Sequence, residues 1–144
     1  MTADEMIRYI RDTFEGVDAP EARGDTFFIY DPWRDLPDSR RMPFATIVTG
    51  DHEYDSASAL DRPGAWRLNI GLTRARYARL FPTVPVDVDH RVVDTLLPHP
   101  VYAPQRWVCV VNPGAGTEAL VRDLLDEAYA FAVRKYDNHR RRGS

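Results

Sequence analysis

The residues best suited to chemistry lie in one stiff segment, Pro98–Pro113. His99 stands between two prolines, each of which fixes φ and removes a backbone donor. The second of them, Pro100, also favours extended backbone at His99. An imidazole held in this way is suited to act as an acid, a base or a ligand, because its pKa is near neutrality. We therefore take His99 and the nearby Tyr102 as the first candidates for a site.

The chain lacks the motifs that would make this histidine part of a familiar catalytic centre. No G-x-S-x-G nucleophile motif is present. Cys109 lies between valines, where a free cysteine packs as a small hydrophobe. Gly114 and Gly116 precede a helix, but a dinucleotide-binding motif would need a third glycine where Ala119 stands. The sequence thus assigns no catalytic residue and no cofactor, and ring hydrogen bonds that hold the loop are the competing role for His99.

Two further histidines stand among acidic residues. His90 precedes Asp94 by four positions, and Asp51-His52-Glu53 is a run of adjacent polar residues. Neither arrangement has the H-E-x-x-H or H-x-x-x-H spacing of a zinc site, and adjacent side chains point in different directions on regular backbone. Surface charge accounts for both groups, and we expect no metal ligands.

Composition limits the classes of function. A chain of 144 residues that is 44% hydrophobic forms one domain with a buried core. Its net charge of −3 gives no general attraction for nucleic acid. A nucleic-acid surface would require Arg40-Arg41 and Arg140–Arg142 to adjoin Arg74, Arg76 and Arg79. With one cysteine and no apolar run of membrane-spanning length, we expect a cytoplasmic protein with no disulfide and no membrane partner.

Hydrophobic periodicity predicts helices at both ends of the chain and strands between them. Thr2 and Glu5 form a capping box that begins a helix over residues 3–14. The other predicted helices run from a cap at Thr73 to Phe81 and from a cap at Thr117 to Tyr136, with a helical turn in residues 90–97. The predicted strands are Thr26–Tyr30, Phe44–Thr49, Trp66–Leu72 and Trp107–Asn112.

Because the strands cluster rather than alternate with helices, we predict an α+β fold. It has an antiparallel sheet of four or more strands, and the N-terminal and long C-terminal helices pack mainly on one face. Residues 1–136 form the single domain, and residues 137–144 form a basic tail that frays.

Alternation along Trp66–Leu72 places Arg67 and Asn69 on the sheet face away from the helices. With His99, Tyr102 and an aromatic side chain such as Trp33, they would line a polar and aromatic pocket for a small organic anion. In that pocket Arg67 would pair with the anion, and the competing interpretation is a solvated outer face.

Five segments of the chain are distinctive as a set: Gly24–Pro32, Phe44–Thr49, Arg62-Pro-Gly64, Arg67–Gly71 and Pro98–Tyr102. Together they resemble a bacterial protein family of unassigned function. They span most of the chain, and the resemblance implies no activity. A fainter resemblance covers the C-terminal half, where Pro100-x-Tyr102, Trp107-Val-x-Val110 and Leu124-Leu-x-x-Ala-Tyr129 are similar to the ending of MmcQ/YjbR-like domains. That similarity implies a small α+β fold and a role in nucleic-acid binding, although Gln105-Arg106 replaces the usual basic residue and histidine before the tryptophan.

Three hypotheses about function follow. The leading one is a non-enzymatic domain that binds a small molecule or a protein partner on the open sheet face beside the His99 loop. A homodimer formed through that face is the competing arrangement, since exposed apolar surface marks interfaces. The alternatives are a nucleic-acid-binding domain of MmcQ/YjbR type, which the composition does not favour, and an enzyme that uses His99 as acid or base.

Overall fold

The computed structural model describes residues 1–142 and has an α+β architecture, as predicted. Within these residues all strand pairs between the named strands are antiparallel, and the sheet is open. The elements in chain order are α1 Ala3–Thr13, β1 Val17–Asp18, β2 Glu21–Ala22, β3 Asp25–Tyr30, β4 Ala45–Val48, β5 Arg67–Gly71, α2 Arg74–Leu80, β6 Leu97–Pro98, β7 Trp107–Val111 and α3 Glu118–Arg142. The four predicted strands correspond to β3, β4, β5 and β7.

The strand order across the sheet is β1-β3-β4-β5-β7-β6, and β2 also pairs with β3. The two-residue strands β1, β2 and β6 are not predicted from the sequence, because they are too short to show an alternating pattern. Strand β5 lies between β4 and β7, with Asn69 opposite Thr46 on one side and Cys109 on the other. This register places the side chains of β5 at the centre of both faces.

Helices α1 and α3 pack on one face of the sheet, as predicted. The cap of α1 is the capping box of Thr2 and Glu5 expected from the sequence. Met6 and Ile10 of α1 join Leu124 and Leu125 of α3 in a single buried cluster. The sheet residues of that cluster alternate along the strands and include Phe28, Ala45, Ile47, Leu68, Ile70, Val108 and Val110.

The second face of β5 is buried as well, whereas the sequence predicted a half-buried strand. Arg67 is 0% exposed and Asn69 is 2% exposed. The connection of residues 49–66 covers this face, and its Leu60 packs with Val48 and Val111 in a small second cluster. The polar residues of β5 are therefore not a solvated outer face.

Two helix predictions need correction. Residues 90–97 form no helical turn, because Val93 makes a parallel bridge with Val111 and Leu97 begins β6. Helix α3 does not end at Tyr136 but continues to Arg142. Arginines near a helix C-terminus interact favourably with the helix dipole, and Arg140 Nη1 donates to the Tyr136 hydroxyl at 3.0 Å. The tail predicted to fray is helical through residue 142, and residues 143 and 144 lie outside the described residues.

The glycine-containing turn before α3 binds a side chain of the protein itself. Backbone N–H groups of Gly114, Gly116 and Thr117 donate to the Asp94 carboxylate at 2.8, 2.9 and 3.1 Å. These donors and the Thr117 hydroxyl lower the pKa of Asp94, the hydroxyl most strongly. The carboxylate occupies the position that an anion would take at a helix start, so the turn is a cap, as the sequence indicated. Among the described residues, no helix is both long and apolar enough to cross a membrane.

Replacing this carboxylate tests the cap. We expect Asp94→Ala to lower the thermal unfolding midpoint by several degrees, because it removes the acceptor of the Gly114 and Gly116 N–H groups in the turn that precedes α3. Thermal unfolding followed by circular dichroism measures the change. Asp89→Ala is the control, since the exposed Asp89 side chain accepts its hydrogen bonds from the nearby Arg91. Equal midpoints for the two variants would contradict the cap.

Candidate functional site

A pocket of about 400 Å³ lies on the second face of the sheet. Thr46 of β4 and Asn69 of β5 form its floor, since both point to this face and lie opposite each other in the register. The loops before β5 and between β6 and β7 form its sides. The lining residues are Asp25, Phe27, Met42, Pro43, Thr46, Val48, His52, Tyr54, Asp55, Asn69, His99, Tyr102, Gln105 and Trp107.

Behind the pocket wall, the guanidinium of Arg67 is held in a buried network. It pairs with both carboxylate oxygens of Asp55, and Nη1 also donates to the Ser58 hydroxyl at 3.0 Å. Nε donates to Asn69 Oδ1 at 2.8 Å. Burial alone would raise the pKa of Asp55, but the hydrogen bonds and charge of Arg67 outweigh it and hold that pKa below its usual value. The positive charge of Arg67 is thus matched inside the protein.

The network continues to the pocket floor. Asn69 Nδ2 donates to the Thr46 hydroxyl oxygen at 2.9 Å. Because this oxygen accepts from Asn69, the hydroxyl keeps its own hydrogen to donate elsewhere. Arg67 therefore orients Thr46 through Asn69, although Arg67 itself does not line the pocket.

His99 is 3% exposed, and backbone hydrogen bonds at Nδ1 fix its ring. Nδ1 accepts from the backbone N–H groups of Val101 and Tyr102 at 3.0 and 2.9 Å. We therefore assign the ring hydrogen of the neutral imidazole to Nε2, which lies 3.3 Å from Arg67 Nη2. Burial and then the charge of Arg67 lower the pKa of His99 from 6.5 to about 4. The ring is neutral at neutral pH, and its acceptor nitrogen is occupied by backbone.

A second histidine meets a carboxylate at the pocket. His52 Nε2 lies 2.7 Å from Asp25 Oδ2, and the His52 ring stacks on Tyr54 with centroids 5.4 Å apart. Asp25 is 5% exposed, and its other oxygen, Oδ1, is buried without a hydrogen-bond partner. Burial raises the pKa of Asp25 despite the opposing hydrogen bond from His52. The backbone of Thr49 also lowers that pKa, but no described group makes a hydrogen bond of normal geometry to Oδ1.

Aromatic side chains supply much of the pocket wall. The Tyr102 ring lies on His99 with centroids 5.0 Å apart. The Trp107 indole covers Gly71 on the neighbouring strand, where an added Cβ would come within 2.9 Å of the ring. Tyr54 and Phe27 complete the aromatic part of the lining. Glycine at position 71 is therefore required for the position of the indole.

The residues for which the sequence predicts no catalytic or metal-binding role have packing or hydrogen-bonding roles in the fold. Cys109 is fully buried on β7, and burial raises the pKa of its thiol to about 12, which suits the predicted packing role. His90 Nε2 lies 3.0 Å from the Pro98 carbonyl oxygen, and Asp94 caps α3. Among residues 1–142, no group of three or more His, Cys, Asp or Glu side chains is arranged to hold a metal ion.

The structure brings together four of the five residues predicted for the site. Asn69, His99 and Tyr102 line the pocket, and Arg67 contacts two of them from behind. Trp33 lies outside the pocket and is 70% exposed. Asp31 explains its position, because Asp31 Oδ1 accepts from the backbone of residues 35 and 36 and stabilises a turn after β3.

Three acidic or basic groups of the site are absent from the sequence prediction: Asp25, His52 and Asp55. His52 and Asp25 are 27 residues apart, and Asp55 and Arg67 are 12 apart. Asp51-His52-Glu53 has the composition of an exposed loop, and Asp55 lies in the same connection. No spacing rule links such loop residues to a strand, so only the folded chain reveals these pairs.

Comparison with known proteins shows the family. Residues 1–142 match the family described as "Family of unknown function (DUF6194)", and the chain belongs to this family. This agrees with the resemblance to a family of unassigned function. No curated protein and no solved structure matches the chain. The similarity to MmcQ/YjbR-like domains is not shown by these comparisons.

Breaking the buried ion pair tests the network. We expect Arg67→Met to lower the free energy of unfolding by about 3–5 kcal/mol, because it leaves Asp55 buried without its partner. The double variant Arg67→Met with Asp55→Leu should cost less than the sum of the two single variants. Urea denaturation measures all three. Arg91→Met is the control, since the Arg91–Asp89 pair is exposed and should matter little; additive effects at 67 and 55 would contradict the network.

The pH dependence of stability tests the state of His99. In the folded protein His99 stays neutral down to pH about 4, whereas in the unfolded chain it takes up a proton near pH 6.5. Its contribution to stability is therefore full above pH 6.5 and is lost as pH falls to 4, by up to about 3 kcal/mol. His99→Asn keeps an acceptor for the backbone N–H groups but cannot titrate.

We expect the stability difference between wild type and His99→Asn to shrink by about 2–3 kcal/mol between pH 7 and pH 4. Urea denaturation at each pH measures it. His139→Asn removes an exposed histidine of α3 and serves as the control. Parallel pH profiles for wild type and His99→Asn would show that His99 titrates normally in the folded protein.

Proposed function

We propose that this chain, whose family has no assigned function, binds a small organic molecule in the pocket on the second face of its sheet. The observation that carries the proposal is the pocket itself. Its volume of about 400 Å³ lies in the range of small-molecule sites, and aromatic and apolar walls surround a few fixed polar groups. Walls of this kind favour a ligand with a planar or apolar body.

The polar groups of the pocket are held in place before any ligand arrives. Asn69 is fixed between Arg67 and Thr46, and the backbone of its own loop fixes His99. Such positions cost little entropy on binding, because the side chains are already ordered. In this proposal Thr46 offers its hydroxyl hydrogen, and Tyr102 and Trp107 stack against the ligand body.

The shape of the second face favours a small ligand over a protein partner or a second copy of the chain. A dimer formed through a sheet face needs a broad, uncovered surface. Here the connection before β5 covers part of the face with Leu60, and Asp55 and Ser58 of that connection are buried against Arg67. What remains is a recess bounded by loops, which suits a compact ligand.

The alternatives from other classes have less support. Two of the eight arginines required for a nucleic-acid surface make close ion pairs with carboxylates, Arg41 with Asp18 and Asp31 and Arg76 with Glu127. An enzyme that used His99 as a base would need a free ring nitrogen. Nδ1 accepts two backbone hydrogen bonds and Nε2 faces a guanidinium, so neither nitrogen is positioned to take a proton from a ligand.

A panel of aromatic fragments with neutral, cationic and anionic substituents tests ligand binding. We expect at least one fragment to stabilise the protein by about 1.4 kcal/mol at roughly ten times its Kd. It should also shift the NMR signal of the Trp107 indole N–H, which Trp107→Phe identifies. Thermal unfolding and heteronuclear NMR provide the two measurements.

Paired variants locate the binding. Thr46→Phe places a ring on the pocket floor and should abolish both effects, provided that its circular dichroism spectrum matches that of wild type. Ser39→Phe adds the same ring at an exposed position outside the pocket and should leave both effects unchanged. If no fragment acts on wild type, or if Thr46→Phe responds as wild type does, the proposal fails.

A further inference from the structure

The charges around the pocket show which kind of ligand it suits. Within residues 1–142, no lysine or arginine side chain lines this pocket, whereas the carboxylates of Asp25 and Asp55 both do. The buried guanidinium of Arg67 contacts the pocket residues Asn69 and His99, and its charge is matched by that of Asp55. An anionic ligand would therefore meet the Asp25 carboxylate, with no lysine or arginine of the lining to balance it. The anion expected from the sequence is therefore not the ligand that these charges favour.

The unsatisfied oxygen of Asp25 supplies a specific attraction. Asp25 is only 5% exposed to solvent, and it lines the pocket. Oδ2 is occupied by His52, but Oδ1 has no hydrogen-bond partner. A buried carboxylate oxygen without a donor is costly, and a donor that carries positive charge compensates it best. His52 already occupies Oδ2, so it does not supply that donor.

The aromatic walls fit the same kind of ligand. Phe27, Tyr54, Tyr102 and Trp107 all line the pocket. The faces of aromatic rings attract cations, and cages of such rings recognise ammonium groups in proteins. An apolar recess that combines several rings with one unpaired carboxylate oxygen offers an ammonium group both of its usual partners.

We propose that the ligand of this pocket is an organic ammonium ion, with its charged nitrogen at Asp25 and its carbon skeleton against the aromatic walls. This inference rests on the proposed function and names the chemical class of the ligand. Because Oδ1 is buried, a protonated amine would donate a hydrogen bond to it after a small movement of the Asp25 side chain, whereas a quaternary ammonium relies on the rings and on charge alone. Both belong to the proposed class, and the experiment separates them.

The test compares ligands that differ mainly in their polar group. Isothermal titration calorimetry at pH 7.5 measures 2-phenylethylamine, 2-phenylethyltrimethylammonium, 2-phenylethanol and 3-phenylpropionate against wild type. We expect the amine to bind at least about tenfold more tightly than the alcohol and the carboxylate, a difference of about 1.4 kcal/mol. A quaternary compound that binds as tightly as the amine would assign recognition to the rings rather than to the hydrogen bond.

Two variants assign the preference to Asp25. Asp25→Asn keeps the shape of the side chain, and it should weaken amine binding by about tenfold while leaving the alcohol within about twofold. Asp89→Asn neutralises an exposed aspartate outside the pocket and should change neither. The wild-type comparison of the four compounds stands even if Asp25→Asn does not fold.

The outcomes separate the two proposals. Binding of the alcohol or the carboxylate as tightly as the amine would overturn the ammonium inference and leave the pocket a small-molecule site. Amine binding that survives Asp25→Asn undiminished would overturn the assignment to Asp25. If none of the four compounds binds, and the wider fragment panel also gives no effect, the proposed function itself fails.

Discussion

Arg67 places a guanidinium in the middle of β5, and none of the residue is exposed to solvent. Removing such a charge from water costs several kcal/mol unless a partner and hydrogen bonds compensate it. Asp55, Ser58 and Asn69 together provide that compensation. The strand can occupy the centre of the sheet only when these groups are in place. Much of the second face is therefore arranged around one side chain.

The connection of residues 49–66 shows this dependence. It carries both Asp55 and Ser58, so it must lie against the sheet for Arg67 to be satisfied. Leu60 of the same connection packs on Val48 and Val111, so apolar burial and the ion pair favour the same path of the chain. Along that path, residues of the connection form one side of the pocket. The pocket thus results from the path that the connection takes to bring Asp55 and Ser58 to the buried charge of Arg67.

The sequence predicts the framework because its signals are local. The capping box at Thr2 and Glu5 and the alternation from Trp66 to Leu72 identify α1 and β5, and the alternation also assigns Arg67 and Asn69 to one face. Short strands give no such signal, and the helical turn that the sequence predicts over residues 90–97 therefore includes Leu97, the first residue of β6. Trp33 is a candidate by its residue type alone, and nothing local places it on the second face.

The charge state of the site could not be predicted in the same way. Alternation shows that Arg67 points away from the helices but not that Asp55 meets it there, because Asp55 lies in a loop with no periodic pattern. An arginine considered alone suggests an anionic ligand. The same arginine paired with a buried carboxylate contributes no net charge to the pocket. The ligand inferred from the structure is therefore a cation, whereas the ligand expected from the sequence is an anion. Loop residues distant in sequence therefore decide the chemistry of a strand that local patterns locate.

The two histidines of the pocket illustrate why position matters more than residue type. His99 has the local features of a functional residue, yet both of its nitrogens face the protein and burial holds the ring neutral. Its hydrogen bonds to the backbone hold the loop that carries Tyr102, so His99 positions a side chain of the pocket wall. His52 stands in a run that resembles ordinary surface charge, yet it occupies one oxygen of Asp25 and leaves the other without a donor. Because Nδ1 of His99 is occupied by backbone and Asp25 Oδ1 has no hydrogen bond of normal geometry, the ligand recognition that we propose relies on the carboxylate and on the rings around it.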